Sequence, residues 1–447
     1  METSLDDAAH PAVHPAAARA VEFARTLIRF DTTNTGDERS AGEREAAEYV
    51  MGLLQDWGHE PQYFESEPKR GSIVLRLEGQ DHNRGALVLH GHLDVVPADR
   101  SEWSADPFGA EVRDGAIWGR GAVDMKDMDA MILAVVEWWS KRGVKPPRDI
   151  ILCFFADEEA GGVLGSRWLV DNHPELFAGA TEAVSEVGGF SVDIAGQRAY
   201  LLQTAEKGIA WLKLIAEGTP GHGSAVNADN AVRHLVDALA RIAAAPWPVN
   251  LTPTVEALLR GAAELAGLKP DLEDPQAIDE LLNVFGPARR FVGASIATGV
   301  NLTSVSGGGK VNVIPRTAEG TIDMRPLPGD AANARAKIDQ LTGPRVRIEP
   351  INEDIALEAP LDAPLVEAMR QALAKADPDA TALPYMLAGG TDGKALARLG
   401  INNYGFAPLR LPPGFDFTAM FHGVDERVPV DSLRWGTGVL ADFLARS

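Results

Sequence analysis

Leu87-Val88-Leu89-His90-Gly91-His92-Leu93-Asp94-Val95-Val96-Pro97 is the stretch whose reading decides the fold. Its apolar start and its ending in His90, Gly91, His92, Leu93 and Asp94 have the pattern of a buried strand that delivers an imidazole and a carboxylate to its carboxyl end. If the strand runs through Asp94, then His92 and Asp94 share a face, because side chains alternate with period two. One can then bind a metal while the other steers it. A strand end capped in water would show the same few residues, so partners elsewhere in the chain must decide.

Outward from this stretch, helical and strand patterns alternate. Residues 15–30 carry Val21, Phe23, Ala24, Leu27 and Ile28 at helical spacing, and residues 43–57 form a second helix closed by Gly58. Strand-like runs follow at 61–65, 72–77 and 86–90, and Asp114-Gly115 marks a hairpin. Asp124 precedes a helix through Met131, Leu133, Val135, Val136 and Trp139, and a strand spans 150–156. This alternation predicts an α/β fold, a mainly parallel sheet with helices on both faces, whose functional groups gather at the carboxyl ends of its strands.

The texture changes after about residue 198. Strands at 199–204, 209–216, 298–305, 310–314 and 319–324, with helices at 230–244 and 330–341, predict a smaller α+β domain inserted over 199–358. Residues 247–291 are long, Pro-punctuated and helical in tendency, which makes them an insertion within that lid domain. The α/β pattern returns at 364–376, 393–399, 402–406 and 432–445, so the first domain is expected to comprise 1–198 and 359–447.

At 447 residues, two domains are the natural expectation. Lys plus Arg is 42 against 64 Asp plus Glu, a net charge of −22, which argues against nucleic acid or an anionic membrane as a partner. The one cysteine, Cys153, lies in an apolar run and is expected to pack as a small hydrophobe. Residues 1–14 lack the basic start and apolar centre of a secretory leader and read as a frayed tail, and no apolar run is long enough to span a bilayer. The cytoplasm is the expected location. Gly307-Gly308-Gly309-Lys310 lacks the frame of a phosphate loop and reads as a hairpin turn.

Several acids and imidazoles stand just past apolar runs: Asp124 in a Gly-rich turn before a helix, Glu158 and Glu159 after 150–156, Glu186 after Ala183-Val184-Ser185, and His422 far downstream. Two imidazoles with several carboxylates suit two divalent ions of the Zn, Co or Mn kind, whereas an all-oxygen site would suit Mg or Ca. His90 is expected to pack rather than ligate. His10, His14, His59, His82, His173 and His234 belong to no motif.

Six motifs then occur in one order: Gly91-His-Leu-Asp-Val-Val-Pro, Gly121-Ala-Val-Asp-Met-Lys-Asp, Asp157-Glu-Glu-Ala-Gly-Gly, Gly221-His-Gly-Ser, Gly389-Gly-Thr-Asp-Gly and His422-Gly-Val-Asp-Glu-Arg. In this the chain resembles the M20 metallopeptidases, which include glutamate carboxypeptidases, aminoacylases, acetylornithine deacetylase and succinyl-diaminopimelate desuccinylase. The resemblance implies two metals, most readily Zn, bridged by Asp124, with His92 and Glu186 on one and Glu159 and His422 on the other. Asp94 would fix the tautomer of His92. Glu158 would be the general base, His222 an oxyanion donor from the lid, frequently across a dimer interface, and Arg325 the clasp for the substrate carboxylate. Asn312, Gly390 and Thr391 would hydrogen-bond the substrate. The peptide between Asp124 and Met125 is expected to be cis.

The implied activity is hydrolysis of an amide next to a free carboxylate, as in an aminoacylase, dipeptidase or carboxypeptidase acting on N-acyl amino acids or peptides. A biosynthetic deacylase and a metal-free peptide-binding relative are the alternative readings. A homodimer through the lid domain fits the same resemblance.

Overall fold

The computed structural model describes residues 14–447; the expected frayed tail, through residue 13, and His10 lie outside the described residues. Among them, the strand Ala86–His92 is buried at every position, with Ile150–Phe155 and Ala180–Ser185 parallel to it on either side. Asn402–Gly405 continues the parallel set beyond Ala180–Ser185. Gly71–Leu77 and Gln62–Glu65 close one edge antiparallel. Gln197–Glu206 stands at the other side, with Thr381–Leu387 parallel to it.

Period-two alternation explains why helices cover both faces. Leu87, Leu89, Ile150, Leu152 and Phe154 point into one apolar core, while Val88, Ile151, Cys153 and Phe155 point into another. Each fully buried aliphatic side chain contributes roughly 1.5–3 kcal/mol relative to exposure. On the first face pack the helices Ala17–Ile28, Lys126–Ser140 and Val430–Leu444; on the second lie Ser166–Asn172 and Gly393–Ala397. Cys153 is buried among apolar neighbours, as expected of a small hydrophobe.

The smaller body is a four-stranded antiparallel sheet in the order Gly299–Gly307, Thr317–Arg325, Ile209–Glu217, Val346–Asp354. The two inner strands, Ile209–Glu217 and Thr317–Arg325, bury every second side chain over most of their length, because only one face is covered, by Ala231–Ala244 and Ala331–Thr342. Asn230 accepts the Arg233 amide and caps the first of these helices. The Gly307-Gly308-Gly309-Lys310 segment turns the chain out of Gly299–Gly307, but it does not close a hairpin onto the strand expected at 310–314: only Val313–Ile314 is extended there, and it pairs with Gly221–His222.

Two further expectations about this body need correction. The strand predicted at 199–204 does not open the lid sheet; as Gln197–Glu206 it pairs with Thr381–Leu387, Phe190–Ile194 and Leu357–Glu358 in the large sheet. Its almost continuous burial is that of a central strand, not of a one-faced sheet. Nor does the 247–291 segment belong to the lid core. Its helices Pro253–Leu265 and Pro275–Leu281 bury Val255, Leu258, Leu259 and Ile278 in the main core beside Leu383 and Tyr385. Among the described residues no helix is long and apolar enough to cross a membrane.

Candidate metal centre

The strand Ala86–His92 stops at His92, and the parallel strands beside it release Asp157, Glu158 and Glu159 on one side and Glu186 on the other. Asp124 arrives on the turn before Lys126–Ser140, where its peptide bond to Met125 is cis, as expected. His422 comes from the loop before Arg427–Pro429. These segments meet because parallel strands all point their carboxyl ends the same way.

Asp124 lies between two imidazoles. Its Oδ1 is 3.2 Å from Nε2 of His92 and its Oδ2 is 3.2 Å from Nε2 of His422. Glu186 stands 3.7 Å from His92 Nε2, and Glu159 stands 3.1 Å from His422 Nε2. Two triples result, His92–Asp124–Glu186 and Asp124–Glu159–His422, each with its donor atoms within 4.8 Å of one another. A carboxylate offering one oxygen to each triple is the geometry a bridging ligand needs. Glu159 also keeps a buried Oε1 without a hydrogen-bond partner, an orphan acceptor that a cation would satisfy. The residues therefore fit a pair of cations, with one imidazole on each.

The electrostatics agree. Burial pushes the Glu186 carboxyl up to about 8, with the Asp124 charge adding to the effect. Burial also raises Glu158 and Glu159 above the usual carboxylate range. Hydrogen bonds to Asp124 and Glu159 lift His422 to about 10. Burial opposes the charged form of His92, but Glu186, Asp124 and Asp94 outweigh it and hold the ring well above its ordinary value. The cluster thus retains protons that positive ions would displace.

Around the ligands the pattern differs from the expected one at Asp94. The nearest acceptor to His92 Nδ1 is the Asp94 backbone carbonyl at 3.0 Å, while the Asp94 carboxylate is 3.5 Å away. That carboxylate instead accepts the amides of Glu158 and Glu159 at 3.1 and 3.0 Å and the Asn34 side chain at 2.8 Å. The strand ends before Asp94, so the period-two argument does not reach it. Asp94 orients the ring through its main chain and the acidic turn through its side chain.

Glu426 was not singled out by sequence reasoning, although it lies within the His422-Gly-Val-Asp-Glu-Arg motif. Completely buried, it accepts the amides of Gly121, Val123 and Asp124 and pairs with Arg120 at 2.7 Å. It gathers the turn that presents Asp124. Apart from Arg120, its partners are backbone amides, which leave no mark in a sequence.

A cavity of about 220 Å³ opens beside the cluster, lined among others by Glu158, Glu159, Trp211, Arg325, Gly390 and Thr391. Glu158 lies 4.0 Å from His92 Nε2 and belongs to neither ligand triple. Asp323 takes Nε and Nη2 of Arg325 at 2.7 and 3.0 Å and so fixes the guanidinium plane. The Thr391 hydroxyl is given to buried Glu206 at 2.7 Å, not left for a ligand. His222 and Asn312 are exposed on the lid and do not line this cavity. His90 is buried against Phe155, with its ring pushed down to about 3 by burial and by His92, in keeping with a packing role. His59, His82, His173 and His234 make contacts away from the centre, with Ser140, Asp149, Phe64 and Asp229 respectively.

Comparison with known proteins gives the same picture over most of the chain. N-fatty-acyl-amino acid synthase/hydrolase PM20D1 of Xenopus tropicalis is 27% identical over 437 residues, covering 92% of this chain and 83% of that protein. Aminoacylase-1 of Sus scrofa is 28% identical over 313 residues, covering 69% and 66%. Among solved structures, the M20 family metallo-carboxypeptidase of Sulfolobus solfataricus shares the fold with a TM-score of 0.72 at 17% identity, covering 97% and 99% of the two chains. The sequence profile of peptidase family M20/M25/M40 matches residues 88–446, a span that begins inside the histidine-bearing strand and runs beyond His422. The chain belongs to that family and is one of its hydrolases.

Proposed function

We propose that this protein is a dinuclear metal-dependent hydrolase that cleaves an amide bond next to a free carboxylate, releasing an amino acid from an N-acyl amino acid or a short peptide. The observation that carries this is Asp124 shared between two ligand triples, with Glu158 left outside both at the cavity wall. The names of the two relatives above, a fatty-acyl-amino acid hydrolase and an aminoacylase, support N-acyl amino acids as the substrate class. Two divalent ions bound there, Zn by the mixed imidazole and carboxylate donors with Co or Mn as alternatives, would supply Lewis-acid polarisation and an acidified water.

Each remaining role falls to a residue of this chain. Glu158 takes the proton of the attacking water as the new C–O bond forms and returns it to the amine nitrogen as the C–N bond breaks. Burial suits it to both steps by raising its affinity for a proton. Asp94 holds the amide of Glu158, so the carboxyl keeps its place during both transfers. Arg325, braced by Asp323, receives the substrate carboxylate, for which a planar guanidinium is well shaped.

His222 donates to the oxyanion. Being exposed and away from the cavity of its own chain, it does so in the site of a second copy, and Asn312 reaches the substrate in the same way. The edge strand Gly299–Gly307 carries exposed Leu302 and Val305, an edge suited to pairing between two lids in a homodimer.

The test is Glu158→Gln in protein loaded with Zn, Co or Mn and assayed on N-acyl amino acids and on their C-terminal amides. Metal stoichiometry is expected to stay at two while kcat falls by about 10²–10⁴-fold. Turnover close to the parent value sinks the assignment. Wild-type protein is expected to prefer the free acids, and equal rates on the amides count against Arg325.

A further inference from the structure

The chain passes from the large sheet to the lid at Lys207 and Gly208, leaves the lid for the helical segment that packs on the main core, re-enters through residues 294–298, and returns for good at Ile355 and Ala356. Three of these crossings meet around two buried lysines. Lys394, on the helix Gly393–Ala397, is 2% exposed. Its Nζ donates to the Lys207 carbonyl at 2.7 Å and the Ile355 carbonyl at 2.9 Å, and lies 3.2 Å from Oε2 of Glu206. An ammonium has three donors, and here each finds an acceptor, which is the condition for holding such a charge away from water. Lys207 repeats the device, its Nζ reaching the carbonyls of Ala294 and Ala297 at 2.9 and 2.6 Å.

The same group reaches the cavity wall. Glu206, 1% exposed, accepts the Thr391 hydroxyl and amide at 2.7 and 3.2 Å. The Lys394 stem fills the space beside Gly390, where an added Cβ would sit 2.5 Å from Lys394 Cε. One buried side chain thus touches the loop holding Gly390 and Thr391 and two of the four crossings by which the lid is hung, those at Lys207 and Ile355.

We propose that Lys394 is a positioning residue that sets the lid, with its Trp211 and Arg325, against the Gly390–Thr391 side of the cavity. The kinetic consequence rests on the proposed role of Arg325; the mechanical one does not. The corner is also braced by Arg167 and Arg398, which reach Asp354, so the test asks whether those braces suffice.

The test uses Lys394→Met and the charge-free pair Glu206→Gln with Lys394→Met, in full-length metal-loaded protein. Because Cys153 is the only cysteine and is buried, spin labels can be directed to Glu48→Cys on the main body and Asp237→Cys on the lid, both exposed positions. The parent should give one narrow label-to-label distance distribution and the charge-free pair a distinctly broader one, with two metals still bound. On free-acid substrates kcat/KM should fall roughly 10- to 100-fold, as expected when a positioning contact away from the chemistry is lost. Arg325→Ala, costly in the parent, should add less than about threefold in that background, since coupled residues are not additive.

An unchanged distance distribution overturns the proposal, whatever the kinetics. So does failure of both variants to fold, which would make the ammonium a core-building group. A broadened distribution with full additivity of Arg325→Ala would leave the lid placement standing and sink the role given to Arg325.

Discussion

Gly91 separates His90 from His92, and its lack of a side chain is a packing requirement. A Cβ there would sit 2.1 Å from Oδ1 of Asp129 and 2.8 Å from the Met125 methyl. Asp129 cannot retreat to a partner, since both its oxygens are buried and unbonded, and burial holds its carboxyl far above the usual range. Gly91→Ala should destabilise the fold by about 1–3 kcal/mol, read as a lower denaturation midpoint; an unchanged midpoint would show that the helix Lys126–Ser140 can shift. Protonation gives a second check. At pH 7 metal-free His422, raised to about 10, is cationic and Glu186, raised to about 8, is mostly neutral, yet ligation needs the opposite state of each. Metal binding at pH 7 should therefore release protons, and apparent affinity should rise as pH climbs from 7 through 8 toward 10. Calorimetry in buffers of different ionisation enthalpy measures this, and proton uptake would contradict it. That His92, Asp124, Glu159, Glu186 and His422 belong together was legible in the sequence because each is a His, Asp or Glu placed just past an apolar run. The duties of Asp94 and Glu426 were not, because they grip main-chain amides, which every residue possesses.

The turns that carry these side chains have a common feature. Asp157 before Glu158, Val187 after Glu186, and His422 itself adopt φ of 68°, 57° and 58°, a region uncommon for any residue but Gly and a true outlier for the β-branched Val187. The surrounding contacts must hold them there. Gly161 and Gly162, at φ 98° and 67°, close the acidic turn by returning amides to the carbonyls of Glu158 and Asp157, both at 2.7 Å. For the Asp124 turn the clamp is Glu426. Glu426→Ala removes no ligand yet should weaken metal binding by about 10- to 100-fold in competition with a chelator; unaltered affinity would show that the turn keeps its shape unaided. Helices were read from apolar spacing to within a few residues, as with Ala17–Ile28 and Pro364–Ala376. The strand Val346–Asp354 escaped notice because its Arg, Glu, Asn and Asp residues cut the apolar alternation short after Val346 and Ile348, and pairing with Ile209–Glu217 defines it. Gln197–Glu206 was read as a strand but given to the wrong sheet, since which strand will lie alongside is decided at long range.

For the molecule as a whole, the proposed sharing of one site between two copies has a direct consequence. Glu158→Gln and His222→Ala homodimers should each be nearly inactive, while refolding them together should restore about a quarter of parent activity, from the mixed dimers' one intact site, as expected for residues supplied by different subunits of a two-fold pair. No recovery on mixing, with sedimentation showing a dimer, would place His222 in its own subunit's site. The two-body architecture was legible from the change of texture along the chain, but the path of the 247–291 segment back onto the main core was not. Its apolar spacing fits packing on either body equally well. One further consequence concerns the order in which the chain is made. Asn402–Gly405 lies between Ala180–Ser185 and Gln197–Glu206 in the finished sheet. A nascent chain emerging from the ribosome can complete the lid sheet, all of which precedes residue 355, while its main sheet still stands in two pieces with bare facing edges. The wedge that joins those pieces is among the last strands synthesised, and His422 follows it out. Completion of the Asp124–Glu159–His422 triple is thereby postponed until after that wedge has been made.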